Sequence, residues 1–115
     1  MKLPDRIPKR LRAIAVEFPE FGDGEAAWPR EEAMKVIESL KGTTVAVSEV
    51  AVLDVTAWGY AWSDTGVSID RLPSEADADY GTRSRKAAVA FIRSAELATG
   101  NRLFLLTFPM WKDAA

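Results

Sequence analysis

The stretch Thr43–Val55 is rich in β-branched residues and is apolar at both alternating sets of positions. A strand of that composition has both faces buried, as a central strand of a sheet does. The apolar alternation slips at Ser48 and Glu49, which indicates a β-bulge. The sequence therefore predicts a sheet built around this strand, and the remaining elements must pack against or beside it.

Three further strands are predicted: Trp58–Trp62, Val67–Ile69 after a hairpin loop at Ser63–Gly66, and Arg102–Phe108, which Pro109 ends. In the first of these, rings alternate with small residues. Side chains two positions apart point to the same side of a strand, so Trp58, Tyr60 and Trp62 are expected on one face.

Helical spacing of apolar residues predicts three helices: residues 8–18, Pro29–Gly42, and a long helix from Ser74 to about Thr99. In the first, Ile14, Val16 and Phe18 also alternate, so a strand remains an alternative there. The sequence at the start of the third helix resembles a capping box. Gly81 lies inside this predicted helix, so a break in the helix or a later helix start remains an alternative.

The order of these elements predicts the fold class. It is a single α+β domain with a mostly antiparallel four-stranded sheet and about three helices packed on it. The chain of 115 residues suits one domain, with residues 1–7 and 109–115 as loosely ordered tails.

The composition limits where the protein can be located and which chemistry its side chains can perform. No apolar run approaches the ~20 residues that span a bilayer, and the N-terminus lacks the apolar core of a secretory signal. The chain has no cysteine and no histidine. The usual zinc ligands, a thiol nucleophile and an imidazole base are therefore missing. We expect a cytoplasmic protein that is not an enzyme and that has no cofactor and no metal.

Charge is distributed unevenly along the chain, although the net charge is only −2. Residues 42–82 contain seven acidic residues and one basic residue, Arg71, whereas residues 83–115 contain two acidic and six basic residues. An acidic surface that carries amphipathic rings is suited to binding a basic protein. The basic residues Arg83, Arg85, Lys86 and Arg93 are spread around a helix by their spacing, so we do not expect nucleic-acid binding.

The candidate partner-binding residues are Asp54, Trp58, Tyr60, Trp62, Asp64 and Asp70. Two interpretations of the rings remain open: they cover the core, or at least one of them is an exposed anchor in an interface. The acidic residues at 75, 77 and 79 have a simpler explanation, since they complement the N-terminus of the third helix.

The ordered set of features resembles a protein family. The set comprises an amphipathic helix that ends at Gly42, the apolar strand after it, a hairpin bearing Trp and Tyr, the helical run Asp79–Ile92 and a final apolar strand, Leu103–Phe108. In order, these are similar to the immunity protein forty family of bacterial polymorphic toxin systems, of the contact-dependent inhibition type. The resemblance covers about residues 28–108 and brings no catalytic residues.

The resemblance implies a function in protein binding. Family members are predicted to neutralise a cognate toxin made by the same cell, so the expected partner is a basic toxin domain, for instance a nuclease. Two alternatives from other classes stay open. One is a small enzyme that uses carboxylates or a metal at Asp54, Asp64 or Asp70. The other is a regulatory subunit that self-associates through a sheet edge or the segment around Trp111.

Overall fold

A computed structural model describes residues 3–18, 20, 22–95 and 102–109 of the chain. Their elements, in chain order, are α1 (Lys9–Ala13), β1 (Glu25–Pro29), α2 (Arg30–Ser39), β2 (Glu49–Thr56), β3 (Gly59–Ser68), α3 (Asp77–Ser94) and β4 (Arg102–Thr107). The strands form one antiparallel sheet in the order β1-β4-β2-β3. The predicted fold class is confirmed. None of the helices in these described ranges has the length and apolar character to cross a membrane.

The strands themselves differ from those predicted. The sequence pattern gives no sign of β1, which is five residues long and runs directly into α2 at Pro29. The two predicted strands at Trp58–Trp62 and Val67–Ile69 lie largely in the single strand β3, so the predicted loop at Ser63–Gly66 is wrong. Ala51 pairs with Gly66 and Leu53 pairs with Trp62, which leaves two extra residues in β3 as a bulge.

The first half of the predicted central strand lies outside the sheet. Val45, Ala46 and Val47 are buried, but the strand β2 begins only at Glu49. The backbone of this extended segment bonds to α3 instead: the Val47 N–H donates to Ser84 Oγ at 3.0 Å. Apolar residues on both faces therefore indicate burial between sheet and helix here, not strand pairing on both edges.

All three helices are shorter than predicted, α2 by less than the other two. α1 ends at Ala13, and Val16 then forms an isolated antiparallel bridge with Ala27 of β1, so extended structure replaces helix after Ile14. The predicted capping box at Ser74 is wrong, since Ala76 is the N-cap of α3 and no side chain caps it. α3 ends at Ser94, and residues 96–99 of the predicted helix lie outside the described residues.

The sheet has a core on each face. The larger core lies between the sheet and the helices and is centred on Trp28, Val52 and Phe104. The smaller one, on the other face, contains Ala27, Leu53, Leu103 and Leu105, with Val16 and Phe18 packed against it. Leu3 and Ile7, from the expected N-terminal tail, belong to the larger core. Residues 110–115, including Trp111, lie outside the described residues.

Candidate functional site

The turn between β2 and β3 presents Trp58 to solvent. Thr56 pairs with Gly59, so Ala57 and Trp58 form a two-residue loop. Gly59 has φ of 125°, a backbone conformation that side chains disfavour, and this glycine lets the chain reverse there. The Thr56 hydroxyl donates to Gly59 O at 3.0 Å and accepts from the Trp58 N–H at 3.2 Å. Trp58 is 97 % exposed at the tip of this ordered turn.

Tyr60 and Trp62 share one face of β3, as predicted, whereas Trp58 belongs to the turn and not to that face. Tyr60 pairs across the hairpin with Val55, and Trp62 pairs with Leu53, a residue of the smaller core. The Tyr60 ring contacts Phe18 edge-on, with 5.0 Å between ring centroids. This contact fixes Tyr60 while leaving it 48 % exposed.

We call the exposed apolar residues Val55, Trp58, Tyr60 and Trp62 the aromatic hairpin. Val55 and Trp62 are 38 % and 56 % exposed, so none of the four side chains is buried. The three rings therefore do not close the core, and their exposure is a condition that an interface anchor must meet. Large apolar side chains that stay together in solvent mark interaction surfaces more often than isolated ones do.

The acidic candidates do not form one patch with these rings. Asp54 is paired with Arg102, whose Nε donates to its carboxylate at 2.9 Å. Asp64 is exposed in the bulge of β3. Asp70 follows the opposite end of β3 from the turn, which places it about 30 Å from Trp58 along an extended strand.

Arginine side chains pair with acidic residues in the loop between β3 and α3 and at the start of α3. Arg83 donates from Nε and Nη2 to the Glu75 carboxylate, both at 2.8 Å, and Arg71 pairs with Asp77 at 2.6 Å. Hydrogen bonds from Arg83, and then from the Leu72 N–H, lower the pKa of Glu75 from 4.5 to about 2. Burial raises the pKa of Tyr80, whose hydroxyl donates to Ile69 O at 2.6 Å. Folding therefore cancels part of the acidic excess seen in residues 42–82, because Arg83 and Arg102 come from outside that window.

The helical side of the molecule has a basic groove that the sequence pattern did not single out. Three of the four basic residues that helical spacing spreads around α3, namely Arg85, Lys86 and Arg93, line one groove between α2 and α3. Lys41, just beyond the end of α2, joins them. A spacing signal does exist: positions 82, 86, 89 and 93 follow helical periodicity and all line this groove.

Within the described ranges, no group of three or more acidic residues is placed to hold a metal ion.

In comparisons with known proteins, no family model matched this chain, and neither a curated protein nor a solved structure matched it.

Proposed function

We propose that this protein is an immunity-type binding protein that neutralises a cognate bacterial toxin domain by direct contact through the aromatic hairpin. The observation that carries the proposal is the joint exposure of two tryptophans and a tyrosine on one two-stranded projection. Tryptophan and tyrosine are the side chains most enriched among the residues that dominate interface energetics.

The hairpin has the rigidity that such an anchor needs. Its turn is held by the two Thr56 hydrogen bonds, and the Tyr60 ring is held by Phe18. A surface already ordered before binding loses little conformational entropy on association. The order of sequence features, from α2 through the hairpin to α3, supports the immunity class in particular.

The exposed acidic residues favour a basic partner, but fewer of them are unpaired than the sequence alone implies. In the described part of the chain, Glu49, Asp64 and Asp70 are exposed and have no side-chain ion pair. Asp64 lies in β3, the edge strand of the sheet, and Asp70 follows it, whereas Glu49 lies in the neighbouring strand β2. Exposed acidic groups raise the association rate with a basic toxin, and this contribution weakens with salt.

The test is binding to the C-terminal domain of the protein encoded immediately upstream, measured by calorimetry, together with rescue of growth on co-expression. Trp58→Ala is expected to weaken binding by about 30-fold or more, since a buried interface tryptophan contributes roughly 2 kcal/mol or more. Its fold stability should be unchanged because the ring is 97 % exposed.

The matched control is Leu72→Ala, which removes an apolar side chain that is 54 % exposed and lies beyond the other end of β3. It should leave affinity within about twofold, a difference well under 1 kcal/mol. The proposal fails if the upstream domain does not bind at low salt, or if Trp58→Ala and Leu72→Ala bind it equally well.

A further inference from the structure

The groove between α2 and α3 lies on the helical side of the sheet, whereas Tyr60 and Trp62 of the aromatic hairpin lie on the face with the smaller core. Its cavity volume is about 420 Å³, the size of a small-molecule site. Ile37, Val89 and Ala90 supply an apolar part of its wall. Four cationic side chains and a single acidic one, Glu38, supply the charged part. A chain with a net charge of −2 thus concentrates three net positive charges in one concavity.

Arg85 is the unusual member of this groove. It is only 8 % exposed, yet it has no ion pair within the described ranges. Its Nη1 donates to Thr43 O at 3.0 Å and to Val45 O at 2.6 Å. Burial lowers the pKa of its guanidinium, as expected for a cation removed from water without a counter-ion.

The remaining donors of Arg85 are available to a ligand. Nε and Nη2 make no hydrogen bond with any described residue, and neither is among the buried atoms that lack a partner. They therefore reach solvent, and Arg85 lines the groove. Burying a cation without an anion is costly, and an anion in the groove would offset that cost.

We propose that this groove binds a small multivalent oxyanion, of the phosphate or polycarboxylate class, with Arg85 recessed in the groove and Lys41, Lys86 and Arg93 around it. The planar guanidinium can donate to two oxyanion oxygens at once, and the lysines add positive charge without requiring a fixed geometry. A small ligand fits better than a macromolecular surface, because a group that reaches a side chain with 8 % exposure must be narrow.

The experiment is calorimetric titration of the full chain with pyrophosphate and, separately, with citrate, at constant ionic strength. The double variant Lys86→Ala/Arg93→Ala should weaken binding by about 10-fold or more, since two charge-assisted contacts are lost. The control Lys9→Ala/Arg10→Ala removes the same charge from exposed positions of α1 and should change affinity by less than about threefold. Pyrophosphate binding without citrate binding would identify the phosphate class, and the reverse result would identify the carboxylate class.

A second variant is expected to bind the anion more tightly. Glu38→Gln removes the acidic residue of the groove and should tighten binding by about threefold, whereas Glu17→Gln, an exposed residue outside the groove, should not. The proposal is overturned if neither anion binds at millimolar concentration, or if the groove and control variants weaken binding equally. It is also overturned if a ten-residue glutamate peptide binds tighter than both anions, since the groove would then be a docking face for an acidic segment.

Discussion

At Gly81, α3 comes into close contact with the extended segment that precedes β2. A Cβ added there would lie 2.9 Å from the Thr44 carbonyl oxygen and 3.0 Å from Arg85 Nη1. Contacts that short are repulsive, and one of the two atoms belongs to the backbone. Glycine is therefore present in mid-helix for close packing, although it lowers helix propensity by ~1 kcal/mol relative to alanine.

Gly81→Ala is expected to lower the free energy of unfolding by about 1–3 kcal/mol, the usual cost of overpacking, despite its gain in helix propensity. Urea denaturation monitored by circular dichroism measures the change. Thr82→Ala, at the next and exposed position, should be neutral or slightly stabilising. Stabilisation by Gly81→Ala would show that this close approach is not maintained in solution.

Glu75, in the β3–α3 loop, makes the free energy of unfolding depend on pH. Its folded-state pKa of about 2 lies below the ordinary 4.5, so the charged carboxylate stabilises the folded state. That stabilisation is complete above pH 4.5 and is lost as the pH falls towards 2. We expect Glu75→Gln to flatten the fall in unfolding free energy across this window, measured by urea denaturation at successive pH values. The exposed Glu31→Gln of α2 serves as the comparison, and an equal flattening by both variants would contradict the prediction.

Among the elements, β3 shows how a strand keeps its side-chain faces across an irregularity. Its bulge inserts two residues between Gly66 and Trp62, opposite the β2 step from Ala51 to Leu53. An even insertion preserves the alternation of side chains, so Tyr60 and Trp62 remain on the face that carries the smaller core. An odd insertion would have moved both rings to the other face.

Deleting Asp64 and Thr65 together should leave the fold intact, with a change in unfolding free energy of about 1 kcal/mol or less, because register parity is retained. Deleting Thr65 alone should cost about 2 kcal/mol or more, since the strand must either slip or invert its faces. Urea denaturation gives the stabilities, and nuclear Overhauser contacts between Phe18 and Tyr60 report the face. Equal stabilities for the two deletions would argue against the observed pairing.

The sequence predicts elements well where a boundary residue fixes them. Pro29 and Gly42 bracket α2 closely, with Pro29 as N-cap and Gly42 at φ of 86° just beyond the helix. It predicts them poorly where tertiary contacts decide. Thr43–Val47 has the composition of a strand, but Ser84 and Arg85 of α3 satisfy its backbone groups. No local pattern contains that information.

The sequence predicted the shared face of Tyr60 and Trp62, but neither the place of Trp58 in the turn nor the pairing of the charges. Alternation in Trp58–Trp62 indicates a strand with a ring-bearing face, and the structure exposes all three rings. The acidic window loses part of its charge because Arg102 reaches Asp54 from 48 residues away. The basic groove likewise needs Lys41, just after α2, beside Lys86 of α3. Pairings between distant residues are fixed by the fold and are invisible in a charge count.

On the scale of the whole molecule, the N-terminal stretch joins the two faces of the sheet. Leu3, Ile7 and Leu11 pack in the larger core, the Val16 backbone then bonds to the edge strand β1, and Phe18 reaches the smaller core. Trp28 anchors this stretch from the sheet, since its Nε1 donates to Leu11 O at 2.7 Å in a buried bond. The two cores are therefore expected to unfold together.

Trp28→Phe should lower the free energy of unfolding by about 2–4 kcal/mol, because it leaves the buried Leu11 carbonyl without a donor and removes ring volume. Trp58→Phe, at a ring that is 97 % exposed, should change it by less than about 0.5 kcal/mol. Thermal and urea unfolding give both values, and a single transition is expected for each variant. Two separate transitions would show that the N-terminal stretch does not couple the cores.

The sheet order β1-β4-β2-β3 places β4, the last of the described strands, between β1 and β2. β1 has no strand partner until β4 arrives, and the Thr107 hydroxyl donates to a glutamate 82 residues earlier. On the ribosome, the β2–β3 hairpin can close as soon as it emerges, whereas β1 must wait until β4 has been synthesised. A chain cut short before Arg102 would carry two unpaired strand edges and an open core. We therefore expect nonsense truncation anywhere upstream of β4 to prevent folding of the whole domain.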